Sequence, residues 1–143
     1  MLWQGAAYFD GSGGDDHCVL AVAGGVSDVD KWIDFESTWI AALIANGVTP
    51  PFHMKEFTRS KDGPYAGWTN AQRVRLMTAL IDCILNQIEQ TCSSAVILRD
   101  YDIVDAEYQM HEHWGYPYEI CAKQVLHQVK DWKLEHYPDA PSI

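Results

Sequence analysis

Two aspartates follow apolar stretches that have the composition of β-strands. Asp10 ends the aliphatic and aromatic run of residues 2–10, just before GSGG, and Asp100 follows SSAVILR at residues 93–99. A buried carboxylate is costly unless hydrogen bonds or a cation compensate its charge. Ligands of α/β sheets also gather at the ends of strands. If the two strands are neighbours, we expect Asp10 and Asp100 to share a divalent cation.

Each aspartate also has a purely structural interpretation. Asp10 can accept backbone N–H bonds within the turn that follows it. Asp100 can cap the next helix, a role that Asp102 can fill equally well. The residues alone leave both interpretations open.

A histidine and a glutamate stand together in FHMKEF, residues 52–57. The prolines at positions 50 and 51 favour extended backbone, so we predict a short strand at residues 52–53. There His53 would be fixed, and a histidine can bind a metal or transfer protons near neutral pH. Glu56 would add a carboxylate to the same site. The alternative is an ordinary helix start, in which Glu56 interacts with the helix dipole.

The remaining histidines carry weaker signals. His111 and His113 flank Glu112, and residues two apart do not share a face of a helix. We therefore expect both imidazoles to face solvent. The acidic run that ends at His17, residues 15–17, is expected to form a solvated hairpin tip.

Hydrophobic periodicity places these residues on an α/β framework. Strands are predicted at residues 2–10, 17–26 and 93–99, besides the short one at 52–53. Helices are predicted near residues 27–46, 70–88, 102–112 and 118–136. Two antiparallel strands followed by helix–strand alternation predict a mixed β-sheet flanked by helices. The length of 143 residues fits a single domain over residues 1–143.

Composition restricts the classes of partner. Twenty Asp and Glu against ten Lys and Arg give a net charge of -10, which repels a polyanion and attracts divalent cations. We see no signal peptide and no apolar run near the ~20 residues that span a bilayer, so a cytoplasmic protein without a membrane partner is expected. The four cysteines form no CxxC pair and are expected to be reduced core thiols. The sequence has no phosphate-binding loop, dinucleotide fingerprint or nucleophile elbow.

Three motifs in order resemble one protein family. They are YFDGSG at residues 8–13, FHMKEF at residues 52–57 and YPYEICAKQVL at residues 116–126. Together they are similar to the bacterial and phage family catalogued as domain of unknown function 3800, which is regarded as RNase H-like. The resemblance covers nearly the whole chain. It implies that Asp10 is the acid of the first strand, and that His53 and Glu56 are the mid-chain pair. Asp100 matches by position only.

The chain departs from the family pattern at two places. The family has a glutamate after its first aspartate, and Gly11 stands there in this sequence. Relatives also continue with a further strand and a helix that supplies another acid, whereas this sequence stops at Ile143. The resemblance therefore implies an RNase H-like domain that lacks the last strand and helix.

Two functions follow as expectations. The first is a metal-dependent nuclease that hydrolyses nucleic-acid phosphodiesters, with Mg²⁺ or Mn²⁺ held by Asp10, Glu56 and Asp100 and with His53 as a further catalytic group. Such sites use two cations that carboxylates and water hold. The alternative is a catalytically inactive RNase H-like interaction domain, which forms homo-oligomers through an exposed sheet edge. The sequence does not decide whether the chain is an enzyme.

Overall fold

A computed structural model describes residues 4–13, 18–59 and 62–139 of the chain. The strands are β1 (Gly5–Ser12), β2 (Val19–Asp28) and β3 (Gln90–Ile97). The helices are α1 (Val29–Ala45), α2 (Met54–Thr58), α3 (Asn70–Gln87), α4 (Leu98–Tyr108), α5 (Met110–His113) and α6 (Pro117–His136). The predicted α/β class is confirmed.

The chain contacts divide into two compact units. The strand unit comprises Met1–Asp28 and Glu89–Ile143, and the helical unit comprises Val29–Ile88. The expectation of a single domain over residues 1–143 stays a prediction. Among the described helices, none combines the length and the apolar character that crossing a membrane requires.

The sheet of the strand unit is a three-stranded antiparallel sheet in the order β1-β2-β3. The described strands contain no parallel pair, so the sheet differs from the mixed sheet that the sequence predicted. Its register aligns Asp10 of β1 with Ala23 of β2, and Ala23 with Ser93 of β3. Because side chains alternate between the two faces of a sheet, these three residues share one face.

Helix α6 packs against the other face of the sheet. Val22 and Val26 of β2 lie on that face, and both are buried. The buried residues of this core are Val22, Val26, Cys92, Cys121, Val125 and Val129. The residues of α6 in this core recur every four residues, which is the spacing of one helix face. Cys92 and Cys121 are thus core thiols as expected, whereas Cys18 is exposed.

A side chain of α6 completes the hydrogen bonding of β3. The amide of Gln128 donates to the backbone oxygen of Ser93 at 2.9 Å and accepts from its N–H at 3.2 Å. Ser93 lies on the strand at the end of the described sheet order. The expected pairing of two copies through the final sheet edge is therefore not available at Ser93, because its backbone groups are already bonded.

The helical unit is built on the antiparallel pair α1 and α3. Gln87, at the end of α3, donates to Thr38 in the middle of α1 at 2.8 Å, and Arg75 near the start of α3 donates to Asn46 just after α1 at 2.9 Å. Helix α3 begins with a capping box between Thr69 and Gln72. The buried core residues are Leu43, Val48, Phe57, Tyr65, Leu76 and Leu80.

Two element predictions are wrong. Residues 52–53 form no strand, because Phe52 packs against Trp39 and Phe57 of the helical unit and α2 begins directly afterwards. The helix predicted near residue 102 begins at Leu98, so β3 ends at Ile97. Asp100 consequently lies inside a helix rather than at the end of a strand.

The bond between Gln128 and Ser93 gives a testable prediction. In Gln128→Ala both backbone groups of Ser93 lose their protein partner, and we expect the free energy of unfolding to fall by about 1 kcal/mol, since water can replace part of the loss. Urea unfolding at pH 7 measures it. His127→Ala, an exposed substitution on the same helix, is the control and should change stability by less than about 0.5 kcal/mol. Equal stability of the two variants would contradict the prediction.

Candidate functional site

Asp10 lies on the face of the sheet that α6 does not cover. Its side chain is exposed, and Oδ1 accepts a hydrogen bond from the N–H of Gly11 at 2.9 Å. Its cross-strand neighbour is Ala23, and the next strand presents Ser93. The sheet therefore places an alanine beside this carboxylate and a serine one strand further on, where the nuclease expectation requires acids.

Asp100 lies in the first turn of α4 and is exposed. Strand β3 ends at Ile97, which pairs with Val19 of β2. Val19 lies four residues along β2 from Ala23, the residue that pairs with Asp10. With about 3.3 Å per residue and about 4.8 Å between strands, the Cα atoms of Ile97 and Asp10 are separated by roughly 16 Å. Asp100 is three residues further along the chain. The favourable position of an acid in the first turn of a helix accounts for Asp100 without a ligand.

His53 and Glu56 belong to the helical unit. His53 precedes α2 with extended backbone, and its oxygen accepts hydrogen bonds from the N–H groups of Glu56 and Phe57 at 3.0 Å each. Burial raises the pKa of the Tyr65 hydroxyl, and the charge of Glu56 raises that pKa further. Glu56 therefore lies near Tyr65. The structure thus gives Glu56 the helix-start position that was the alternative to a ligand role.

Arg73 binds the loop that follows α2. Its guanidinium donates to the backbone oxygens of Phe57 and Tyr65, the latter at 2.9 Å. It also lies 5.2 Å from the centre of the Phe57 ring, within the range of a cation–π contact. The Arg73 guanidinium is therefore engaged with backbone oxygens of the segment that follows Glu56.

The predicted ligands do not assemble into a metal centre in the described part of the chain. Across residues 4–13, 18–59 and 62–139, no three His, Cys, Asp or Glu side chains are grouped so that they can hold a metal ion. Mg²⁺ requires several oxygen ligands in near-octahedral geometry, and the cross-strand neighbour of Asp10 is Ala23, which offers no side-chain oxygen. The described residues therefore do not fit the divalent ions that the nuclease expectation implies. The acidic run at residues 15–17 lies outside the described residues.

Gly11 packs closely against α6. Strand alternation directs position 11 toward α6, away from the face of Asp10. A Cβ at Gly11 would lie 2.9 Å from Cε2 of Tyr118. The Tyr118 ring thus occupies the space that a side chain at position 11 would need.

The structure reveals one polar pair that the sequence did not predict. Asp105 of α4 accepts hydrogen bonds from the backbone N–H of His111 at 2.7 Å and binds its Nδ1 at 2.8 Å. The imidazole also stacks on Tyr116, with 5.9 Å between ring centres. His113 is exposed as expected, and the His111 side chain is 37% exposed although Asp105 and Tyr116 contact its ring. No glycine or proline marks the break at Gln109, whose left-handed backbone (φ 52°) folds α5 back onto α4, so the sequence carries no signal for this pair.

A carboxylate at Nδ1 orients an imidazole and leaves Nε2 available for proton exchange. The same bonds lower the pKa of Asp105, first through the backbone N–H of His111 and second through its ring. Since the folded-state pKa is depressed, the contribution of Asp105 to stability is present above its ordinary pKa and is lost as the pH falls through the lowered value.

We predict that His111→Ala raises the pKa of the Asp105 carboxyl only part of the way to its ordinary value of 3.8. The backbone N–H of residue 111 continues to donate in the variant, and it is the larger cause of the shift. Carbon-detected NMR titration of the carboxyl measures this pKa. Glu107→Gln, an exposed change on the same helix, should leave the pKa of Asp105 where it is. If the pKa of Asp105 returned fully to its ordinary value in His111→Ala, the ring of His111 alone would be the cause of the lowered pKa, which would contradict the prediction.

Comparisons with protein-family models, with curated proteins and with solved structures found no match to this chain. The family resemblance therefore rests on the three motifs themselves. The catalytic assignments of Asp10, His53, Glu56 and Asp100 stay predictions.

Proposed function

We propose that this chain is an RNase H-like interaction domain that assembles through an apolar surface of its helical unit. The observation that carries this proposal is a pair of exposed aliphatic stripes, one on α1 and one on α3. The α1 stripe consists of Ile33, Ile40 and Ile44, and the α3 stripe consists of Val74, Ile81 and Leu85, all of them exposed.

The stripes are not scattered surface residues. Leu85 is 74% exposed and Ile44 is 64% exposed, although the same two helices supply the buried residues Leu43 and Leu80. Single exposed apolar side chains are common, whereas a contiguous apolar patch marks a binding surface. Here six exposed aliphatic residues lie on two packed helices, three on each.

Two observations support the RNase H-like architecture, which is part of the proposal. The three motifs occur in the family order along the chain. An antiparallel sheet opens with the strand that carries Asp10 and is covered by a helix on one face.

A second candidate function is the metal-dependent nuclease, with Mg²⁺ or Mn²⁺ as cofactor and nucleic acid as substrate. One observation favours it: the Asp10 carboxylate is exposed on an uncovered sheet face, where a ligand can reach it. The grouping of the described acids does not favour it. We therefore place it second.

If the chain is an interaction domain, we expect it to assemble without a metal ion. In buffer with EDTA, light scattering between about 5 and 200 µM should give a mass that rises from 16.2 kDa toward twice that value. The expected reason is burial of aliphatic surface, which is independent of divalent ions. Assembly that appears only on addition of Mg²⁺ would contradict this proposal.

The nuclease predicts that cation binding depends on Asp10. Calorimetric titration with Mg²⁺ should show binding to the wild type that is weakened at least about tenfold in Asp10→Asn, since a carboxylate ligand is lost. Asp34→Asn, an exposed change on α1, removes the same charge elsewhere and serves as the control. Equal binding by all three proteins, or none by the wild type, would remove the second candidate.

A further inference from the structure

We infer that one face of helix α4 binds a basic amphipathic helix of another protein. This surface, the outer face of α4, consists of Asp100, Ile103, Val104, Glu107 and Tyr108. The inference goes beyond the proposed interaction function, because it concerns the strand unit and a partner whose charge is opposite to that of this chain.

The five residues share one side of α4. Their positions follow the spacing i, i+3, i+4, i+7 and i+8, which places side chains along one face of a helix. All five are exposed, and the apolar members Ile103, Val104 and Tyr108 are exposed by 57%, 40% and 62%. The outer face therefore combines accessible apolar side chains with two accessible carboxylates.

Other residues hold α4 against the strand unit. Tyr101 is buried, and its hydroxyl donates to the backbone oxygen of Gly115 at 3.0 Å. Asp105 accepts from the backbone N–H of His111 and binds its ring. Within the described part of the chain, the hydrophobic core of the strand unit includes no side chain of the outer face. The position of α4 is thus explained without the outer face.

The local stability of α4 does not explain the residues on this face either. Ile103 and Val104 are β-branched, which lowers helix propensity, and both are exposed. Glu107 lies near the end of α4, whose last turn has no basic residue, although the helix dipole favours cations there. Binding of a cationic partner gives these three residues a role that folding alone does not.

Charge identifies the kind of partner. Helix α4 contains four acids and one basic residue, and the whole chain has a net charge of -10. Among the described residues, neither Asp100 nor Glu107 forms an ion pair. Complementary charge selects partners and speeds their encounter, so nucleic acid, an anionic membrane and a second copy of this chain are disfavoured. A basic protein segment is complementary to this face, and its cations can also stack on Tyr108.

The dimensions of the face suit a partner helix. Helix α4 has 11 residues and is therefore about 16 Å long, so roughly three turns of a second helix cover it. An amphipathic helix binds by aliphatic residues that recur every three or four positions, and these would contact Ile103 and Val104. Lysine or arginine beside them would meet Asp100 and Glu107, which are about 10 Å apart along the axis.

Titration of the full chain with a synthetic peptide tests this inference. The probe has about 14 residues, with leucine and lysine arranged in a helical period, and binding is measured by calorimetry at low salt. We expect Glu107→Lys to weaken binding roughly tenfold, and Glu135→Lys, an equal change of charge at an exposed position of α6, by less than about threefold.

A second pair of variants tests the apolar contact. Ile103 and Leu134 are each 57% exposed, so Ile103→Ser and Leu134→Ser remove similar aliphatic surface on α4 and on α6. We expect the first to weaken binding roughly fivefold and the second by less than about twofold. Circular dichroism checks that all four variants are folded.

Amide NMR shifts locate the peptide. Shifts that centre on residues 98–108 and disappear when glutamate replaces every lysine of the peptide are the expected result. Equal weakening within both pairs of variants, or shifts spread over the whole acidic surface, would overturn the inference. Absence of binding at about 1 mM peptide would overturn it as well. None of these results bears on assembly through the helical unit, which light scattering measures separately.

Discussion

The direction in which each side chain of the sheet points depends on the packing of one sheet face against α6. Val22 and Val26 of β2 are buried against that helix, and the two-residue period of a strand then decides where the rest of the sheet points. Asp10 is aligned with Ala23 and must therefore face away from the core. The exposure of its carboxylate is a direct consequence of the packing of two valines.

The packing of one sheet face against α6 also explains the surroundings of Gly11. Position 11 is directed toward α6, and the ring of Tyr118 fills that space. A carboxylate at position 11 would thus lie on the opposite face from Asp10, in contact with an aromatic ring. The absence of a side chain at position 11 and the position of the Tyr118 ring are two aspects of one packing arrangement.

The sequence predicted the elements that have a strong hydrophobic period and failed where tertiary contacts decide. The strands around Asp10 and Val22 and the long helix α6 were predictable, because alternation and helical spacing are local properties. The structure of residues 52–53 was not predictable from local pattern. Extended backbone becomes a strand only beside a partner strand, and Phe52 packs among aromatic rings instead. The pairing of Asp105 with His111 depends on the left-handed turn at Gln109, which no local pattern announces.

The amphipathic pattern of α3 predicted the helix but not its buried side. Its apolar residues cover a wide arc, and a periodicity argument assigns the whole arc to the core. The structure buries Leu76 and Leu80 and exposes Val74, Ile81 and Leu85. The excess of aliphatic residues over what one core can cover was visible in the sequence, whereas the division between covered and uncovered residues requires the position of α1.

The amide of Gln128 acts on β3 as a very short surrogate strand. It offers one donor and one acceptor to a strand that would otherwise template the addition of further chains. This protection covers a single residue. Since that residue lies in the middle of an eight-residue strand, it interrupts the continuous ladder of hydrogen bonds that cross-β fibrils require. A glutamine in a helix thereby closes part of a strand edge that lies far from it in sequence.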